Sequence, residues 1–146
     1  KKIKEYFVDK YYRPRIQINL SKKLLNFANA SIDISDGLIA DLEKMINDQK
    51  MSYTLREKSI PLSNYLSTLI KDRKLNKSKF ISNGDDYQVL FTASPSKNRI
   101  ILNASKNLGV KITKIGKINS QSKQSCIIDQ NDKQILIKNK GYKHLF

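Results

Sequence analysis

A short strand pattern that leads directly into an amphipathic helix constrains the fold of this chain more than any other feature of its sequence. In residues 31–35 (SIDIS), apolar and polar side chains alternate, which is the period of a strand with one buried face. Residues 38–49 then place their apolar side chains along one stripe of a helix. Only Asp36 and Gly37 separate the two patterns. The chain therefore combines strands and helices within one unit.

The same mixture continues along the 146 residues. Apolar spacing and end signals predict further helices over 2–12, 20–28, 64–73 (capped by Ser63) and from Ser94-Pro95-Ser96 to Gly109. Apolar runs predict strands over 51–57, 87–93, 110–118, 125–129 and 134–137, and residues 74–80 form a basic loop. Because strands and helices do not alternate strictly, we predict an α+β fold.

The lone cysteine and lone histidine exclude several kinds of site. Cys126 alone builds no disulfide framework or thiolate cluster, and His144 alone builds no histidine-based zinc site. We interpret this usage as that of a reducing, cytoplasmic compartment. No run approaches the roughly 20 apolar residues of a membrane span, and no signal peptide is evident. The chain has no initiator Met and opens inside a helix pattern, so we expect a fragment of a longer protein.

The net charge of +15 has two interpretations. Dense Lys and Arg bind polyanions by releasing counterions, which would suit a basic nucleic-acid-binding domain. Here, however, nearly all the excess is Lys, and it is spread along the whole chain without a compact cluster. A nucleic-acid binder more often shows Arg with interleaved aromatic side chains. The pattern therefore favours a solvated basic surface.

Chemistry-bearing side chains are concentrated at the strand-to-helix junction. Strand alternation puts Asp33 and Ser35 on one face, and Asp36 follows where the helix begins. Carboxylate and hydroxyl oxygens suit magnesium, the helix N-terminus offers backbone N–H groups to a phosphate, and Gly37 lets the backbone approach that phosphate. The alternative is ordinary: Asp36 caps the helix, and the other polar side chains are simply exposed.

Two other segments are weaker candidates. Asn83-Gly84-Asp85-Asp86 sets an acidic pair before an apolar strand, where it could bind a cation or form a solvated turn. The terminal Gly141-Tyr142-Lys143-His144 offers an aromatic ring for stacking, or a tail that docks on the core. Cys126 lies in an apolar strand and is interpreted as a small core residue.

Together these segments resemble the thiamine-monophosphate kinase family. The resemblance rests on motifs that recur in the family's order along essentially the whole chain: RPR at 13–15, AxASIDISDGLIADL at 28–42, IPLS at 60–63, SNGDDYQVLFT at 82–92 and GYKH at 141–144. The family pattern for the fourth is GGEDYELLFT, so Asn83 and Gln88 depart from it, and Asp85 is one methylene shorter than the family's Glu. Leu145 is an added residue before Phe146.

The resemblance implies a fold and a reaction. The fold is the C-terminal domain of the aminoimidazole-ribonucleotide-synthetase-like group, a mixed, largely antiparallel sheet covered by helices. Residues 1–15 would be a hinge segment and residues 16–146 that domain. The reaction is transfer of the ATP γ-phosphate to thiamine monophosphate, giving thiamine diphosphate, with several Mg²⁺ ions. Most of the ATP site and the homodimer interface belong to a missing N-terminal domain, so this chain alone is expected to be inactive.

The resemblance also assigns residues. Asp33 and Asp36 match magnesium-binding acids, and Ser35 matches a contact to ATP. Asp85 falls where the family's Glu touches thiamine, and Tyr142 matches its aromatic contact better than Phe146 does. Two readings stay open beside the kinase: a stand-alone ligand-binding or regulatory module that has lost catalysis, and the nucleic-acid-binding domain considered above.

Overall fold

The computed structural model describes residues 2–46, 49–84, 87–120, 124–137 and 139–142. The helices are α1 (Lys2–Tyr12), α2 (Ile18–Leu24), α3 (Leu38–Met45), α4 (Asn64–Asp72), α5 (Ser78–Ile81) and α6 (Asn98–Leu108). The strands are β1 (Ala28–Asp33), β2 (Met51–Arg56), β3 (Val89–Ala93), β4 (Gly116–Ser120), β5 (Cys126–Ile128) and β6 (Gln134–Ile135). Single 3₁₀ turns occupy Glu57–Ser59 and Pro95–Lys97.

The strands form two sheets. β1 and β3 make an antiparallel pair, and a four-stranded sheet has the order β4-β2-β5-β6. Within the described residues, β2 and β5 run parallel, whereas β2–β4 and β5–β6 are antiparallel. The α+β class and the mixed, largely antiparallel pairing are therefore confirmed. The chain divides its strands between two sheets where one sheet was predicted.

Two apolar clusters hold these layers together. The larger one joins α3 to the four-stranded sheet, with Ile39, Leu42, Leu55 and Ile127 each at most 3% exposed. The smaller one lies between α2 and α6 around Phe27. Burial of such side chains supplies most of the stabilisation of a domain of this size, so α3 is anchored firmly at the base of the strand-to-helix junction.

Some predicted boundaries were wrong, each because a tertiary contact overrides the local pattern. The helix predicted over 20–28 ends at Leu24, because Ala28 pairs with Ala93 across the β1–β3 ladder. The basic loop at 74–80 contains the start of α5. The strand predicted over 110–118 begins at Gly116, where pairing with β2 begins.

Two predicted helix ends are confirmed by their geometry. The Ser63 hydroxyl accepts the Leu66 N–H at 3.2 Å and caps α4. Gly109 ends α6 with φ of 60°, the left-handed conformation that glycine adopts without strain. Among the described residues, no helix has both the length and the apolar character that crossing a membrane would require.

Candidate functional site

The β1–β3 pair places the motif at 28–42, here called the first motif, beside the described part of the motif at 82–92, called the second motif. Asp33 lies opposite Val89 in the ladder. Beyond it, the Ile34 N–H donates to the Gln88 carbonyl and the Tyr87 N–H donates to the Ile34 carbonyl, both at 2.9 Å. The pairing therefore continues past the ends of both strands. Ile34, in the first motif, therefore lies next to residues 87–88, in the second motif.

Two glycines let the turns of these motifs touch backbone to backbone. A Cβ added to Gly84 would lie 2.0 Å from the Ser35 carbonyl oxygen. One added to Gly37, whose φ is 125°, would lie 2.6 Å from the Ser82 carbonyl oxygen. Real Cβ atoms do not approach so closely, so only glycine fits at either position. The turn at residues 35–37 and the turn at residues 82–84 form one packed unit.

The motif at 141–144, here called the third motif, contacts the same turn through its described residues 141 and 142. The Tyr142 N–H donates to the Asp36 carbonyl at 2.8 Å, and the Ala40 N–H donates to the Lys140 carbonyl at 3.0 Å. A Cβ on Gly141, whose φ is 154°, would lie 2.5 Å from the Asp36 carbonyl oxygen. The Tyr142 residue is 67% exposed and therefore lies at the surface beside the turn. Residues 140–142 thus meet residues 36–40, about 100 positions earlier in the sequence.

A buried carboxylate holds this turn from inside. Asp41, in the first turn of α3, is 0% exposed. Its Oδ2 accepts the backbone N–H groups of Ser35 at 2.9 Å, Asp36 at 2.9 Å and Gly37 at 3.2 Å. Its Oδ1 accepts the Lys44 Nζ at 2.9 Å. Every N–H of the turn therefore points at one fixed negative charge, which defines the backbone path.

Lys44 links this buried acid to the predicted site. Its ammonium also donates to Asp36 Oδ2, so one cation bridges two carboxylates. Burial alone would raise the pKa of Asp41, but the Lys44 hydrogen bond and the N–H donors of Ser35 and Asp36 outweigh it, and the net pKa is lowered. The hydrogen bond to Asp36, followed by that to Asp41, raises the pKa of Lys44. Asp41 and Lys44 are therefore both charged at neutral pH.

Some of the predicted site residues lie within the described part of the chain, and others lie outside it. Ile32 and Ile34 pack against the core while Asp33 is exposed and Ser35 half-buried, so the expected alternation of faces is confirmed. Asp36 is half-buried at the turn. Asp85, the predicted thiamine contact, and Phe146 lie outside the described residues. The functional roles of all these residues stay predictions.

The structure changes the expected use of the turn's backbone. The N-terminus of α3 was expected to offer backbone N–H groups to a phosphate. Just before it, Asp41 accepts the N–H groups of residues 35–37, and within its first turn the Ala40 N–H donates to the Lys140 carbonyl. The glycine requirement at Gly37 is explained by the close approach of Ser82, whereas its contact with a phosphate remains a prediction. Sequence reasoning missed both Asp41 and Lys44. The available signal was a carboxylate at position 41 on the apolar stripe of α3, three residues after Leu38.

The oxygen donors present suit magnesium. Asp33 and Asp36 are carboxylates, and Ser35 adds a hydroxyl at the same strand end. Among the described residues there is no group of three or more His, Cys, Asp or Glu side chains that could hold a metal by themselves. Mg²⁺ is typically bound through one or two carboxylates, with waters and substrate phosphates completing the octahedron. The donor set therefore fits a metal shared with a phosphate ligand.

The curated relatives of this chain are thiamine-monophosphate kinases, although no family model matches it. The chain is 37% identical to the enzyme of Buchnera aphidicola (subsp. Schizaphis graminum) over 98% of its own length and 44% of that protein. It is 31% identical to the Escherichia coli K12 enzyme over 96% of its own length and 42% of that protein. The chain thus spans less than half the length of the curated relatives it matches.

Solved structures agree with the sequence matches. A structure of AaThiL complexed with AMPPCP and TMP covers 99% of this chain with a TM-score of 0.76 and 26% identity, over 43% of its own length. The thiamine-monophosphate kinase of Stenotrophomonas maltophilia K279a covers 82% of this chain with a TM-score of 0.70 and 28% identity, over 37% of its own length. By sequence and by fold, this chain belongs with the C-terminal part of the thiamine-monophosphate kinases.

Proposed function

We propose that this chain is the C-terminal half of an enzyme that transfers the ATP γ-phosphate to thiamine monophosphate, giving thiamine diphosphate, in a Mg²⁺-dependent reaction. The relatives named thiamine-monophosphate kinase support the proposal, as does a similar solved structure in complex with AMPPCP and TMP. Because the chain covers only 42–44% of relatives such as those of Buchnera and Escherichia coli, the activity is proposed for the full-length protein.

The convergence of three motifs on one turn carries this proposal. Glycine-only contacts bring residues 82–84 and 141 against residues 35–37, although nothing in local folding requires these distant segments to meet. Phosphoryl transfer needs positioning and charge neutralisation more than it needs a protein nucleophile. A rigid turn that presents acids beside two further segments supports that kind of chemistry.

Each described residue of the turn has a proposed role. Asp33 and Asp36 hold Mg²⁺, and the Ser35 hydroxyl contacts ATP. When bound, the metal neutralises charge on the transferring phosphate. The chain's own contribution is to keep these oxygens at fixed positions, because Asp41 ties the turn's N–H groups to the start of α3. Gly37 is proposed to contact a phosphate of ATP.

Two further residues are proposed to contact the substrate. Tyr142 is exposed and its backbone N–H donates to the Asp36 carbonyl, which supports a substrate contact by its ring near this turn. An aromatic face attracts a cationic ring such as the thiazolium of thiamine. Asp85 would add a carboxylate for the same positive charge. Its side chain is one methylene shorter than Glu, which would place it about 1.5 Å further from the ligand.

The remaining part of the enzyme is proposed to come from outside residues 1–146. An N-terminal domain would supply most of the ATP site and the homodimer interface, with residues 1–15 as the hinge and residues 16–146 as the C-terminal domain. We therefore expect residues 1–146 alone to form no thiamine diphosphate. The proposed compartment is the cytoplasm.

The test is Asp33→Asn in the full-length protein, assayed for thiamine diphosphate formation at increasing Mg²⁺. Asp33 is exposed, so the free energy of unfolding should change by no more than about 0.5 kcal/mol. Since losing even an outer partner of a metal typically costs 10–100-fold, we expect turnover to fall by at least about 100-fold.

Asp132→Asn is the matched control. Asp132 is an exposed carboxylate, far from Asp33 in sequence, and it pairs with Arg56. It should leave turnover unchanged. If Asp33→Asn keeps full activity, the assigned metal role is wrong. If the full-length protein binds thiamine monophosphate but forms no product under any Mg²⁺ concentration, the ligand-binding module becomes the better description.

A further inference from the structure

Lys44 is the charged group that the proposed chemistry leaves unexplained. Its ammonium lies between Asp36 and Asp41, and the two acid side chains are 15% and 1% exposed, whereas that of Lys44 is 51% exposed. The pair of carboxylates is therefore fixed and largely desolvated. The lysine reaches them from the solvent side on a flexible stem.

The two acids need a cation between them. Asp41 is tied by three backbone N–H groups and has no freedom to turn away from Asp36. Like charges held close together with little solvent destabilise the folded state unless an opposite charge compensates. Lys44 supplies that charge through both contacts. Its pairing with Asp36 is thus more than an exposed surface bridge.

A divalent cation bound by Asp36 would change this balance. It would bring two positive charges within a few ångströms of the ammonium, and like charges at that separation repel appreciably even in a solvent-like dielectric. Both cations neutralise the same carboxylate. Because the Lys44 side chain is half-exposed and is not a member of the apolar core cluster, its ammonium can move towards solvent.

We propose that Lys44 is the built-in counter-cation of the Asp36–Asp41 pair, and that a divalent cation bound at Asp36 displaces it. The inference rests on the metal role of Asp36 proposed above. It adds that the chain carries its own cation, Lys44, which competes with that metal for Asp36. Lys44 stabilises the metal-free turn and weakens metal binding, so both effects are removed by the same substitution.

The experiment measures binding of Mn²⁺, as a substitute for Mg²⁺, to the full-length protein by electron paramagnetic resonance. The site of interest is the one lost in Asp36→Asn. Lys44→Met keeps most of the side chain's length and removes its charge. We expect it to tighten Mn²⁺ binding at that site about tenfold. Lys44→Arg, which retains the charge, should stay within about threefold of the wild type.

Thermal unfolding gives a second readout that does not depend on catalysis. Without divalent cations, Lys44→Met should unfold at a lower temperature than the wild type, since the ammonium that binds both carboxylates is then lost. Saturating Mn²⁺ should raise the unfolding temperature more in this variant than in the wild type, because binding is tighter.

Lys140→Met is the matched control. Lys140 pairs with Glu43, which lies on α3 as Lys44 does, and its replacement changes the net charge equally. It should leave the Mn²⁺ affinity within about twofold. If Lys44→Met leaves the affinity unchanged or weakens it while Asp36→Asn abolishes the site, the displacement proposal fails and the metal site stands. If Asp36→Asn leaves all Mn²⁺ binding intact, the proposed metal role of Asp36 fails, and this inference with it.

Discussion

Gly84→Ala tests whether the two motif turns must touch for the enzyme to work. The added methyl would lie 2.0 Å from the Ser35 carbonyl oxygen, whereas Cβ contacts below 3.0 Å essentially never occur. It would also lie 3.1 Å from the Asp36 carbonyl carbon. These neighbours are backbone atoms, so no side-chain rotation can relieve the overlap. The turns must separate by about 1 Å.

This separation sets the expected magnitudes. Overpacking of this kind typically costs about 1–3 kcal/mol of unfolding free energy. A displacement of about 1 Å at a catalytic site can cost about 100-fold in rate. We therefore expect Gly84→Ala in the full-length protein to unfold at a lower temperature and to lose about 100-fold in kcat/KM for thiamine monophosphate. Thermal unfolding and a thiamine diphosphate assay below the unfolding temperature measure the two effects.

Gly109→Ala separates loss of stability from loss of the site. Its φ of 60° makes alanine strained, yet nothing lies within 4 Å of the added Cβ. The strain should cost roughly 1–2 kcal/mol, comparable to the cost at Gly84. Activity of the folded protein should nevertheless remain near the wild-type value. If Gly84→Ala retains full activity, or if Gly109→Ala loses as much, the contact between the turns does not position the site.

Two further predictions concern stability. Burial, followed by the nearby Glu43 charge and hydrogen bond, raises the pKa of Tyr53, so its contribution is complete below the unfolded value of about 10 and is lost as the pH rises above it. Tyr53→Phe should therefore reduce the fall in unfolding free energy above pH 10 by up to about 1.4 kcal/mol per pH unit, measured by urea denaturation; an unchanged alkaline slope contradicts this. Ser63→Ala should cost about 1 kcal/mol by removing the cap on Leu66, and Ser63→Asn should restore most of it.

Local patterns predicted the elements of this fold well. The helix caps at Ser63 and Gly109 and the strand-to-helix junction after residue 33 are confirmed in the structure. Such signals depend on the chemistry of a few adjacent residues, which sequence displays directly. The motif strings also predicted the family, which the curated relatives confirm. Boundaries failed where pairing with a distant strand determined the end, as at Ala28 and Gly116.

Only the tertiary structure decided how the candidate site is assembled. The meeting of residues 37, 84 and 141 depends on strand register and on backbone contacts between residues about 45 to 105 positions apart, which no local period encodes. The burial of Asp41 and its capture of three N–H groups likewise follow from packing of α3 beneath the turn. Sequence determined which oxygens could bind a metal. Packing determined which backbone groups remain for a ligand, because a buried carboxylate takes its hydrogen bonds from whatever the fold brings within reach.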